Sequence, residues 1–485
     1  MFMYANSKRQ NHGQGLVGWR ASALLLCVVM SACGGGSGGN GGGTIGTVDK
    51  ETTVSNWTLV AATEVGLTSY FRTALGSSSV KSGLGGVWAQ DAALATASTP
   101  GAQASGAPTG NVTSFTTLQE TGVDEADLIK SDGAMVYSLA GAKGYSTVFD
   151  TVRRDRLDPA NNVLAPVDTV SSLFSDDVRA KGLYLDAERK QLAVLGEGSS
   201  YWNMYDAWFA PQSWGQGVTE ITLVDTASVT QMQKRRNLRI AANLIGSRRI
   251  GSTLYLVLRS YPTVPGLDPS WPTAKTAANQ AILDAVKVST LLPTLSIDGA
   301  PAQPLMEPSK CFTQPENAIK TADVVTVMGI DLSSATHRHA ARCFTGGTEA
   351  FYMSDKSLYL ATTRTAYTYD GAFPVYANQT TTDIHKFALS GLDISYRGSG
   401  NVTGHLGFDQ NRKSFRMGEH QGALRVITQT APTWGGWFMP AVLPGTVTGT
   451  AAAPAVPESP GHLSILQEST AGLSATGSVS ACRCV

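Results

Sequence analysis

Charge is scarce in this sequence of 485 residues: Asp, Glu, Lys and Arg together make 15%, and 37 basic residues cancel 37 acidic ones. A neutral chain projects no long-range field, which excludes nucleic acid or an anionic lipid surface as partners held by bulk charge. Catalytic signatures are also missing. There is no HExxH, no phosphate loop, and neither a GxSxG elbow nor a GxGxxG between a strand and a helix. Histidines number only seven. His337, His339, His385, His405 and His420 lack the spacing of a zinc site and read as scattered loop residues. The apolar core "ASALLLCVVM" (21–30) is too short to span a bilayer as a stable anchor.

What is abundant is glycine, 51 residues, among Thr-, Val- and Ser-rich segments. With low charge, that composition suits an exported all-β protein with many turns, either two or three domains or one large one. Lys8, Arg9 and Arg20 lead into the apolar core, and "MSAC" (30–33) follows. This resembles the lipobox of bacterial lipoproteins, with Met30 where leucine is usual. The resemblance implies a lipidated Cys33 as the mature N-terminus; the alternative is an ordinary secretory signal with a cysteine nearby. "GGGSGGNGGG" (34–43) then reads as a flexible tether (34–54), whose ten-residue core reaches roughly 17 Å root-mean-square. The expected address is a bacterial membrane, the outer one where there are two, facing the periplasm or the exterior.

The other cysteines fit an oxidising compartment. Cys27 leaves with the signal. Cys311 and Cys343 share a "CF" context around a β-like run, and either pair as a disulfide or stay as buried thiols. Closing that loop would add roughly 3 kcal/mol in the chain-entropy model. Cys482 and Cys484 end the chain as C-x-C. Thiol catalysis is left without a candidate.

Along the chain, near-helical spacing of Trp57, Val60, Val65, Leu67, Tyr70 and Phe71 predicts a short helix within 55–76, with an irregular linker to 110. From 111 the texture becomes strand and turn. A polar turn followed by an apolar run recurs in "KSDGAMVYSL" (130–139), "DAERKQLAVLG" (186–196), "RRIGSTLYLVL" (248–258), "MSDKSLYLATT" (353–363) and "EHQGALRVITQ" (419–429). A companion strand recurs at 219–228, 324–334 and 381–391. "TLYLVL" is apolar at every position, so both its faces need cover, yet no crossover helices intervene. Blades of a β-propeller supply that cover by stacking around an axis. Asp132-Gly133 and Gly251-Ser252 would be tight hairpin turns. One insertion, 273–293, predicts a helix between Pro272 and Pro293, with Ala278, Ile282, Ala285 and Ser289 on one face, packed across a propeller edge.

These segments, above all "LQETGVDEADLIKSDGAMVYSL" and "GSGNVTGHLGFDQNRKSFRMGEHQGALRVITQT", resemble bacterial secreted proteins with a C-terminal β-propeller domain, distantly related to WD-repeat propellers. The resemblance covers roughly 111–470 and implies a propeller (111–485) and export; it implies no catalytic residues. Family members generally continue with further strands that close the ring. Here Leu463, Ile465 and Leu466 would begin a strand whose partners are missing, giving an all-β propeller incomplete at its C-terminal end.

Two groups are candidates for binding. Asp124, Glu125 and Asp127 could gather around calcium, though the ligand spacing of a calcium loop is absent. The alternative is a turn whose carboxylates cap amides and pair with Lys130, Arg248 or Arg249. The second group is aromatic: Tyr201, Trp202, Trp208 and Trp214 in "YWNMYDAWFAPQSWG", and Trp434 and Trp437 in "WGGWF". Flat rings in loops suit sugars or a protein groove; equally, they fill seams between blades. The expectation is a lipid-anchored envelope platform without catalysis or cofactor, binding an envelope protein or polysaccharide and no nucleic acid. The alternative is a metal-dependent propeller hydrolase or lyase acting on sugars or lactones.

Overall fold

The computed structural model describes residues 58–76, 118–141, 149–158, 160–161, 163–199, 217–267, 276–314, 322–370, 373–407, 412–430, 461–470 and 472–481. Its strands form five sheets, each built on a four-stranded antiparallel meander. Blade 1 comprises Ile129–Ser131, Met135–Gly141, Phe149–Asp158 and Val163–Val170. Blade 2 comprises Arg179–Asp186, Gln191–Ser199, Gly217–Asp225 and Gln233–Ile240. Blade 3 comprises Asn243–Ile250, Thr253–Ser260, Val324–Asp331 and His339–Thr345. Blade 4 comprises Ala350–Met353, Ser357–Asp370, Phe373–Ser390 and Asp393–Thr403. Blade 5 comprises Met417–His420, Ala423–Gln429, Gly461–Ser469 and Gly472–Ala481.

The five recurring sequence units fall on the first hairpin of the five blades in order, and the companion segments on third strands. Turn chemistry fixes those hairpins. Gly133 and Gly251 adopt positive φ, and Asp132 Oδ1 accepts from the Ala134 and Met135 amides. Every residue of Thr253–Ser260 and Val324–Asp331 is buried. Alternation then assigns the two faces to different neighbours: Leu254, Leu256 and Leu258 pack toward blade 2, Tyr255 and Val257 toward blade 4.

Four apolar clusters hold the arc together. They join blades 1 and 2, 2 and 3, 3 and 4, and 4 and 5. Five blades thus have four seams, and among the described residues no cluster joins blade 5 to blade 1. Contrary to the sequence expectation, the strand carrying Leu463, Ile465 and Leu466 has neighbours on both sides: Gly461–Ser469 pairs with Ala423–Gln429 and with Gly472–Ala481. The last strand completes blade 5.

Two helices pack against the cluster that joins blades 2 and 3. Helix α1, Glu64–Gly76, starts where Thr63 Oγ1 accepts the Gly66 amide at 3.0 Å. It buries Leu67, Tyr70, Phe71, Ala74 and Leu75. Val65, expected on that face, points to solvent, and Val60 belongs instead to a two-residue strand pairing with Cys311–Thr313. Helix α2, Thr276–Ala285, is shorter than its predicted span. Leu283 supplies its buried contact, whereas Ala278 and Ala285 are exposed and Ile282 is half-buried, so the packed face is turned away from the expected one. Arg72 of α1 donates to the Leu283 carbonyl at 3.0 Å, locking the two helices. Cys311 and Cys343 form a buried disulfide across a parallel strand pair at the edge of blade 3.

Candidate functional site

The acidic lead-in, 119–130, runs past the first strand of every blade in reverse order. Gln119 Nε2 donates to the Ser414 carbonyl at 2.8 Å and the Met417 carbonyl at 3.4 Å, at the entrance to blade 5. Glu120 accepts the Tyr352 hydroxyl of blade 4 at 2.6 Å. Val123 and Asp124 pair with Ile250 and Arg249 of blade 3. Asp127 exchanges backbone hydrogen bonds with Leu183 of blade 2. Ile129–Ser131 then becomes the first strand of blade 1. The segment is a strap linking the inner ends of all five blades.

Its carboxylates are occupied by protein cations, amides and the Tyr352 hydroxyl. Asp124 pairs with Lys130 at 2.8 Å and Arg249 at 3.3 Å, and Glu125 with Arg248 at 3.0 Å. Asp127 Oδ1 accepts the Leu128 amide. Lys130 is nearly fully buried, so the Asp124 charge compensates a cation withdrawn from water. Among the described residues no group of three or more His, Cys, Asp or Glu could hold a metal ion. Tyr352 links strap to seam: it donates to Glu120 while accepting the Glu419 amide at 2.8 Å. Burial, and then Glu120 beside it, push that phenol well above its usual range.

Among the described residues the histidines join no metal-holding group, and His339, His385 and His420 lie on strands of blades 3, 4 and 5 rather than in loops. His385 is buried in blade 4, His405 lies in the seam between blades 4 and 5, His337 sits in a blade 3 turn at positive φ, and His420 is exposed. His385 belongs to a hydrogen-bonded chain that sequence reading missed. The Leu59 amide donates to Tyr396 Oη at 3.0 Å, Tyr396 contacts Ser399 Oγ at 2.7 Å, and Ser399 contacts His385 Nδ1 at 2.6 Å. The Leu59 amide can only donate, so Tyr396 Oη is an acceptor in the first of these bonds. Burial lowers the His385 pKa to about 4, which keeps the ring neutral near pH 7. Another missed pair is Glu349–Lys413, both fully buried, 3.3 Å apart between blades 4 and 5.

Cys33 and the six candidate aromatics, Tyr201, Trp202, Trp208, Trp214, Trp434 and Trp437, lie outside the described residues, as do Cys482 and Cys484. Where the aromatic segments attach is defined. Residues 200–216 join the second and third strands of blade 2, and 430–460 those of blade 5. The α2 insertion joins the same two strands of blade 3. In a meander entered by its innermost strand, all second-to-third connections open on one face of the disc. No described helix is long and apolar enough to cross a membrane.

Residues 113–482 match the family model described as a beta propeller domain. The chain belongs to that family. No curated protein matches it. Membership carries the radial architecture and no reaction, since propellers host unrelated activities on differing loops.

Proposed function

We propose that this beta propeller protein is a lipid-anchored platform at the cell envelope that binds or assembles an envelope protein or polysaccharide. The observation that supports it most is the shared origin of the long insertions: both tryptophan-rich segments and the α2 insertion leave from one face of a rigid disc. Loops on a rigid scaffold recognise partners without needing chemistry of their own. The engaged strap carboxylates also favour this reading over the metal-dependent hydrolase or lyase. Crosslinking in intact envelopes tests it, using the protein and a Trp202→Ala, Trp434→Ala double variant. A discrete partner lost in the variant supports the platform. A stoichiometric metal whose removal abolishes a hydrolytic or lyase activity would replace it with the enzyme reading.

A further inference from the structure

Exposed apolar side chains collect on the two faces that no seam covers. On blade 1, Ile129, Leu157 and Leu164 are 55%, 36% and 44% exposed, and the register puts Leu157 opposite Leu164. These residues alternate with Tyr137-face positions that pack on blade 2, so they belong to the opposite face. On blade 5, Leu424 and Val426 are buried toward blade 4, whereas Ile427 is 50% exposed and faces Leu463, itself 37% exposed. Of the large exposed hydrophobic side chains among the described residues, only Val60, Val65 and Val229 lie away from blades 1 and 5 and their lead-ins.

We propose that these faces associate between two copies of this chain, the open face of blade 5 on one copy packing against the open face of blade 1 on the other. That contact repeats between chains the seam that occurs four times within one, where each blade lays its later face on the earlier face of its successor. Size favours it. Four strands about 4.8 Å apart, each about five residues long at about 3.3 Å per residue, present a face of roughly 320 Å²; a seam covers two such faces, roughly 630 Å², and two seams roughly 1,300 Å², inside the range of stable interfaces. The contact is heterologous, so two copies either close on each other or add further copies in a row.

Sedimentation of the protein in detergent, across a concentration series, reads the outcome against the mass of its own monomer, at most 50.9 kDa of polypeptide. Wild type is expected at twice that mass or more. Ile427→Lys and Leu164→Lys should each lose the association by at least about tenfold in Kd, as a lysine buried in an apolar seam would cost. Mixing those two variants should restore a 1:1 pair, and nothing larger, because one intact face remains on each. Val229→Lys, on an exposed blade 2 turn, should leave the association unchanged. Circular dichroism and melting verify that each variant folds. A wild-type monomer at every concentration overturns the proposal, as would folded variants that still associate alone or fail to complement each other.

Discussion

Removing one member of the Glu349–Lys413 pair should damage the protein far more than removing both. Both side chains have no exposure, and Glu349 also accepts the Thr363 hydroxyl at 2.6 Å. Lys413→Met leaves a carboxylate in a dry seam, and uncompensated buried charges cost about 3–5 kcal/mol. Glu349→Met strands the ammonium at a similar cost. The double variant replaces the pair with apolar side chains of similar length and should fall within about 1 kcal/mol of wild type, or above it. Chemical denaturation of the four proteins gives the coupling energy. The Lys413→Met cost should also depend on pH. Burial already raises the Glu349 pKa, and the lost lysine is the largest influence lowering it. A carboxyl raised in the folded state binds more protons there than in the unfolded chain, so stability falls as pH climbs above 4.5. The variant should therefore be closer to wild type at about pH 5 than at about pH 8. Additive single costs, or singles below about 1 kcal/mol, would refute the buried-pair argument.

Other perturbations have equally definite outcomes. His385 titrates near 4 rather than 6.5, so the unfolded chain takes up its proton first as pH falls. Stability is intact above 6.5 and drops by roughly 3 kcal/mol toward pH 4, a loss that His385→Gln should flatten in parallel denaturation curves. Cys343→Ser opens a loop with sequence separation 32 and should cost roughly 3–4 kcal/mol by the chain-entropy estimate, with non-reduced and reduced wild type differing likewise in melting. Gly246 faces Phe351 across the seam of blades 3 and 4, where an added Cβ would sit 2.3 Å from the ring. Gly246→Ala should cost about 1–3 kcal/mol, measured by urea titration. Calcium or a chelator should leave the melting temperature unmoved, since the Asp124, Glu125 and Asp127 carboxylates are already engaged.

Much of this architecture was legible because it is local. A first hairpin needs its own turn residues and apolar run, and those recur in all five units. Strands buried on both faces announce themselves as unbroken apolar runs, as "TLYLVL" does. The blade count was obscured by uneven insertions, although one unit per blade would have supplied it. The strap was not legible as a strap, because its contacts are remote: Glu120 and Tyr352 lie 232 residues apart. The fate of Leu463 was misread for the same reason, since its neighbour Ile427 precedes a long insertion. The Leu59–Tyr396–Ser399–His385 chain likewise joins segments that only folding brings together.

The strap's course across the inner strands is most directly tested by cysteine trapping at Val123 and Ile250, which sit opposite each other in the strap–blade 3 pairing. With Cys27, Cys33, Cys482 and Cys484 replaced by serine and the native disulfide retained, Val123→Cys with Ile250→Cys should close a new bond on mild oxidation, read as faster non-reduced gel migration. Val123→Cys with Ser252→Cys, on the adjoining turn, should not. No bond in the first pair, or equal bonding in both, would contradict a strap laid in register along the inner ends of the blades.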